Sequence, residues 1–226
     1  SAGLDDLVLA DFTGQSFVEI DGWSQHGAIG DTAALITTSL INRGRDVKQK
    51  GTANAGSMQN VFAVIDDDPG QIALIAAAQP NNKQNYAFKI EGNDAPAVQS
   101  SAVTISVATP GVVTWTGHGL AADTPLELAT TGALPTGLTA GTTYYVKTVL
   151  DPDTLTVSAT PGGSAINTTG AGSGTHTGET QPAASERYFV GLVMQAQEQG
   201  GEANTIRNLS STIEVNSNIV KVNRVG

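Results

Sequence analysis

The chain changes character twice, in opposite directions. From Ser1 to about Gln99 it mixes charged, amide and apolar residues, and from about Ser101 to Gln181 it is rich in Thr, Gly, Ala, Pro and Val. After Gln181 the first texture returns with Glu186-Arg187-Tyr188-Phe189. Two domains in tandem shift only once. A shift that reverses points to one module inserted into another: a discontinuous domain, residues 1–99 and 183–226, around an inserted one, residues 100–182. Both seams are Pro/Ala/Ser-rich, Asp94-Ala95-Pro96-Ala97 and Gln181-Pro182-Ala183-Ala184, as suits a boundary. The middle stretch holds Asp123, Glu127, Asp151, Asp153 and Glu179 against Lys147 alone, a net −4, and leaves −6 to the flanks.

Local patterns predict a mainly β fold with one flanking helix. The 26 glycines lie scattered among short apolar runs and turn signals. In the outer module Ser16–Ile20, Ser57–Ile65, Thr205–Val215 and Ile219–Asn223 read as strands. Tyr86, Phe88 and Ile90 alternate with Ala87, Lys89 and Glu91, and Tyr188, Val190, Leu192 and Met194 repeat that period of two. These two strands are expected to pair, with the insert growing from the tip between them. The helix is expected from about Pro69 to Gln79: Asp68 stands at the N-cap, Pro69 in the first turn, and Ile72, Ile75 and Ala76 form the apolar stripe, widened by Leu74. In the insert Val103–Val107, Gly111–Trp115, Thr142–Val149 and Thr154–Ser158 read as strands of a small sandwich or barrel.

Composition narrows the function classes. There are no cysteines, which excludes disulfides and Cys-containing metal sites and fits synthesis in a reducing cytoplasm. No window approaches the ~20 apolar residues that span a bilayer, and Ser1–Asp6 lacks the basic start and apolar stretch of a signal peptide, so no membrane partner is expected. A net charge of −10 argues against binding nucleic acid by a broad basic face.

Signals for chemistry are weak. The three histidines, His26, His118 and His176, lack metal-ligand spacing and read as turn or surface residues. Asp66-Asp67-Asp68 lacks the alternating calcium-loop pattern, and helix capping accounts for it. Gly170–Gly174 lacks the lysine and the helix of a phosphate loop, and reads as a turn. No Gly-x-Ser-x-Gly elbow occurs. A dispersed Ser-His-Asp triad leaves no local signature and stays open, so a hydrolase is the most distant reading; no catalytic residue, metal or cofactor is expected. One charge feature stands out: Arg43, Arg45, Lys48 and Lys50 are four of the eleven bases in one short stretch, leading into a polar, Gly-containing segment up to Ser57. A solvated hairpin is the plain reading; a basic arm that reaches an acidic surface is the sharper one. No aromatics interleave the bases, which places nucleic-acid binding third.

Asp66-Asp67-Asp68-Pro69-Gly70-Gln71-Ile72-Ala73-Leu74-Ile75 followed by Tyr86-Ala87-Phe88-Lys89-Ile90 resembles the helix-then-strand centre of lambda-like tail tube proteins. Tyr188–Val193 and Thr205–Val215 look like that family's closing hairpin, and the likeness covers most of residues 10–99 and 183–226. Trp115–Leu120 and Leu134–Val146 look like a module found in various phage virion proteins. Lambda-like tube proteins usually carry an extra domain at the C-terminus, whereas here it is internal. The resemblance implies a β-sandwich flanked by a helix, six subunits to a ring, and stacked rings around a pore that conducts DNA. It implies partners: further copies of the chain, tape measure and terminator proteins, and DNA that passes without sticking along a neutral or negative wall. The location implied is the virion tail. In that setting Arg43, Arg45, Lys48 and Lys50 are expected to touch the next ring. The insert is expected to project outward and to be dispensable for building the tube. The alternative is a virion adhesion or carbohydrate-binding protein, with Trp115, Tyr144 and Tyr145 as its contact surface.

Overall fold

A computed structural model describes residues 4–42, 44–200 and 205–226, and it is mainly β with one α-helix among them. The chain divides into two compact units, Ser1–Ile90 with Arg187–Lys221, and Glu91–Glu186 with Val222–Gly226. The seams therefore fall at residues 91 and 186, and the last five residues belong with the second unit.

The first unit is built on a six-stranded sheet. Its strands are β1 (Trp23–Gln25), β4 (Ser57–Ala63), β5 (Tyr86–Glu91), β12 (Glu186–Gln199), β13 (Asn208–Val215) and β14 (Val220–Val222). The order is β1-β4-β13-β12-β14, and β5 also pairs with β12. Alternation decides which face is buried: Met58, Asn60 and Phe62 of β4 point inward, as do Leu209, Ser211, Ile213 and Val215 of β13. Phe189, fully buried, stacks on Phe88 with ring centroids 5.3 Å apart. Tyr86, Phe88 and Ile90 all pack on this core.

On β12 the sequence pattern and the core face differ. Phe189 and Val193 join the core, whereas Met194, expected on the apolar face, is exposed. The first part of β12 is covered on both sides, because Tyr188 packs against Phe12 and Phe17 at 5.3 and 5.9 Å. A bulge between Val193 and Gln195 then breaks the alternation.

The helix α1 (Pro69–Ala77) starts as its caps dictate. Asp68 accepts a hydrogen bond from the Gln71 amide at 2.6 Å, and Pro69 occupies the first helical position, where no N–H is needed. Of the expected stripe Leu74 is buried and Ile75 packs half-buried on the core, but Ile72 is 55% exposed and Ala76 is exposed, while Gly70, Gln71 and Ala77 are buried instead. Polar satisfaction explains the difference. Gln71 Nε2 donates to the Asp21 and Ala63 carbonyls at 2.9 and 2.8 Å, while its Oε1 accepts from the Ile65 amide at 3.2 Å. One amide side chain thus ties the helix to β4 and to the segment before β1. That segment comes so close that a Cβ on Gly70 would collide with the Glu19 carbonyl.

The second unit is a closed barrel with strand order β10-β7-β6-β11-β8-β9. Its strands are β6 (Ser100–Ile105), β7 (Val113–Thr114), β8 (Pro125–Thr130), β9 (Thr143–Asp151), β10 (Thr154–Ser158) and β11 (His176–Thr180). All the pairings are antiparallel. The interior holds Leu126, Leu128, Val146 and Leu155 at its centre. Strands β8 and β11 were not apparent from sequence, since Pro125-Leu126-Glu127 and His176-Thr177-Gly178-Glu179 carry little β propensity. They form because their neighbours supply the ladder on both sides. The Gly92 amide donates to the Ser185 carbonyl at 2.8 Å, and the Ser185 amide to Asp94 Oδ1 at 2.8 Å, so the two ends of the 91–186 segment lie side by side. The bond from Ser185 holds the Asp94 carboxyl below its ordinary range.

The helix anchor makes a direct prediction. Gly70→Ala should cost about 1–3 kcal/mol through overlap. Gln71→Leu should cost at least about 2 kcal/mol by leaving buried backbone groups unpaired. Ile72→Ala should change stability by about 0.5 kcal/mol or less. Denaturant titration followed on Trp23 in a Trp115→Phe background reads the first unit alone.

Candidate functional site

Between β1 and β4 the chain forms a separate two-stranded ribbon, β2 (Thr32–Thr38) and β3 (Val47–Asn54), paired antiparallel. Ser39 Oγ donates to Asp46 Oδ1 at 2.7 Å across the neck of the connecting loop, and Thr32 Oγ1 donates to the Asn54 carbonyl at 3.1 Å at the other end. No third strand joins the ribbon among the described residues. Every residue of β2 is exposed, and on β3 only Val47 and Gly51 are partly covered. The ribbon's apolar side chains are largely uncovered: Leu35 is 66% exposed, Ile36 is 48% exposed, and Ile41 in the loop is fully exposed. Two strands without a covering layer are marginal in water.

The predicted basic residues sit on this element. Lys50 pairs with Leu35 and Lys48 with Thr37, which places both lysines on one face with an exposed leucine. Arg45 lies in the loop and is exposed, and Arg43 lies outside the described residues. The segment expected to be a polar arm is thus strand from Val47 onward. Residues 32–54 carry four bases and one acid, +3, and the remainder carries −13. Sequence reasoning found the charges and missed β2. The signal was present in Ala33-Ala34-Leu35-Ile36 and Leu40-Ile41, apolar pairs that no neighbouring strand covers.

The aromatic contact surface expected on the insert requires correction. Trp115 is 3% exposed and Tyr144 is 4% exposed, both inside the barrel core, and Tyr145 is half-buried. Trp115 lies over Gly178, where a Cβ would come within 2.5 Å of its ring. Tyr144 Oη accepts a hydrogen bond from the Thr139 amide at 2.7 Å. A small barrel's interior is filled by side chains, and these two large rings take part of it beside the leucines and valines.

The histidines are not brought together. His26 is exposed and packs on Trp23 at 5.0 Å, while His176 Nδ1 lies 2.8 Å from Thr130 Oγ1. His118, expected in a turn or at the surface, is buried, and its Nδ1 accepts from the Leu120 amide at 2.9 Å. Among the described residues no group of three or more His, Asp or Glu side chains is placed to hold a metal. The sequence matches no protein-family model and no curated protein.

Trp115→Ala should destabilise the barrel by about 3–5 kcal/mol, the cost of removing a buried aromatic. Thermal unfolding followed by near-UV circular dichroism tests this. An unchanged transition would return Trp115 to the surface.

Proposed function

We propose that this protein is a structural subunit that assembles with copies of itself, and specifically the tail tube subunit of a long-tailed bacteriophage. The observation that carries the reading is the β2–β3 ribbon, a two-stranded element with exposed apolar side chains and positive charge on an otherwise acidic chain. A free subunit leaves that surface in water. A neighbouring acidic copy covers it and offsets the repulsion between like-charged bodies. The strand edges of the first unit support the same reading, since edges not closed within a chain pair readily between chains.

The ring of six, the stacking of rings and the conduction of DNA come from the resemblance of Asp66–Ile75 and Tyr86–Ile90 to lambda-like tube proteins. On this reading the protein works in the virion tail after synthesis in the host cytoplasm, beside tape measure and terminator proteins. Its lumen is neutral or negative, so that DNA slides past without counterion release holding it. A carbohydrate-binding role loses its main support because Trp115 and Tyr144 are buried.

Two experiments test the proposal. Concentrated protein should sediment as large species and show rings or tubes of uniform width in negative stain, whereas changing Arg43, Arg45, Lys48 and Lys50 together to Glu should leave a folded monomer at every concentration. Tubes from the reversed variant would remove the ribbon from the interface. Replacing residues 97–182 with a short Gly/Ser turn should leave a soluble protein that still assembles, with a smaller outer diameter and the same pore. A shortened protein that folds but stays monomeric would place the insert in the subunit contact.

A further inference from the structure

The first unit carries a second surface, whose chemistry is the inverse of the ribbon's. A shallow groove runs beside α1, lined by Val64, Ile65, Ile72, Ile75 and Leu209, with Asp66 and Glu198 on its rim. Ile72, the half-exposed isoleucine that the buried Gln71 displaces from the core face, forms one wall. The two rim acids, Asp66 and Glu198, form a small exposed collar. Arg207 donates to both Asp66 oxygens at 2.8 and 3.0 Å and to Glu198 at 3.4 Å, so these three side chains together keep one negative charge in excess. The ribbon loop presents the complement. Ile41, fully exposed, stands in the same short loop as Arg45, with Lys48 and Lys50 just beyond it on β3.

We propose that the groove beside α1 in one copy receives the ribbon loop of another, with Ile41 seated against Ile65, Ile72 and Ile75 and the basic residues facing the acidic collar. This rests on the reading of the ribbon as an assembly element and adds its receptor. The groove is small and shallow, its aliphatic wall of Ile65, Ile72 and Ile75 suits an aliphatic side chain, and the charges around knob and hole are of opposite sign. Each copy offers one knob and one hole on different patches, so a one-way contact from copy to copy continues into a ring or a filament, whereas a reciprocal exchange would close a dimer. The collar charges are solvent-exposed, and they set the orientation and the salt dependence of docking more than its strength.

Because the chain contains no cysteine, the contact can be trapped cleanly. Ile41→Cys and Ile72→Cys are prepared separately, mixed under assembly conditions and oxidised. A disulfide needs Cα atoms within about 7 Å, so the bond reports direct apposition. A linked dimer in the mixture, absent from either variant alone and lost when Arg45, Lys48 and Lys50 are changed to Glu in the Ile41→Cys chain, is the expected result. Assembly of the mixture without that linkage would overturn the groove as receptor while leaving the ribbon's role intact. A dimer from Ile41→Cys alone, as abundant as in the mixture, would overturn it in favour of loop-to-loop contact. Failure of the unaltered protein to associate at any concentration would overturn both this inference and the assembly reading.

Discussion

The first unit hangs on one long strand. β12 runs for fourteen residues and pairs with β13, β14 and β5, and through β13 it holds β4 and then β1. Its Phe189 is fully buried against Phe88, and at Gly191 a Cβ would press within 2.8 Å of the Ile213 side chain, so the sheet closes tightly there. The same strand begins where the chain returns from the 91–186 segment. Because β5 and β12 are hydrogen-bonded neighbours, the chain leaves and re-enters the first unit at one place. An entire folded module can occupy that excursion without breaking a ladder, which is why an insertion of this size is compatible with the sheet.

The two units solve the problem of strand edges in opposite ways. The second closes its six strands into a barrel, so each of its strands has two partners and no edge is left to recruit another chain. Large side chains, Trp115 and Tyr144 among them, fill its interior. The first leaves an open sheet and extends a two-stranded ribbon whose outer backbone edges have no strand partner among the described residues and whose leucine and isoleucine side chains are largely exposed. Closure leaves the second unit without a free strand edge, whereas the open sheet of the first unit keeps its edges.

One polar side chain ties helix to sheet in the first unit, beside the apolar packing of Leu74 and Ala77. The Gln71 side chain makes its three hydrogen bonds to backbone groups of Asp21, Ala63 and Ile65, all earlier in the chain. To reach them, α1 rotates its amide and Gly70 inward and turns Ile72 outward. The exposed isoleucine beside Asp66 is therefore a consequence of how the helix is fastened.

Local order was legible in the residues themselves. Asp68-Pro69 fixed the start of α1 because a capping carboxylate and a proline act within one turn. The alternation of Tyr86, Phe88 and Ile90 fixed a strand because a period of two has one structural meaning. The double change of texture marked two modules, since composition follows burial and turn density. Facing was not legible. Which side of α1 is buried depended on carbonyls of Asp21 and Ala63, far away or already past in the chain. Whether Trp115 and Tyr144 meet solvent depended on barrel closure through β8 and β11, strands whose own sequences barely announce them. β2 escaped notice because its apolar residues lie in water, where pattern rules look for a core. Sequence by itself determined the elements, their caps and the charge each carries, because those are set by neighbours along the chain. Only the tertiary structure decided which faces are covered, because burial belongs to pairs of surfaces brought together from distant positions.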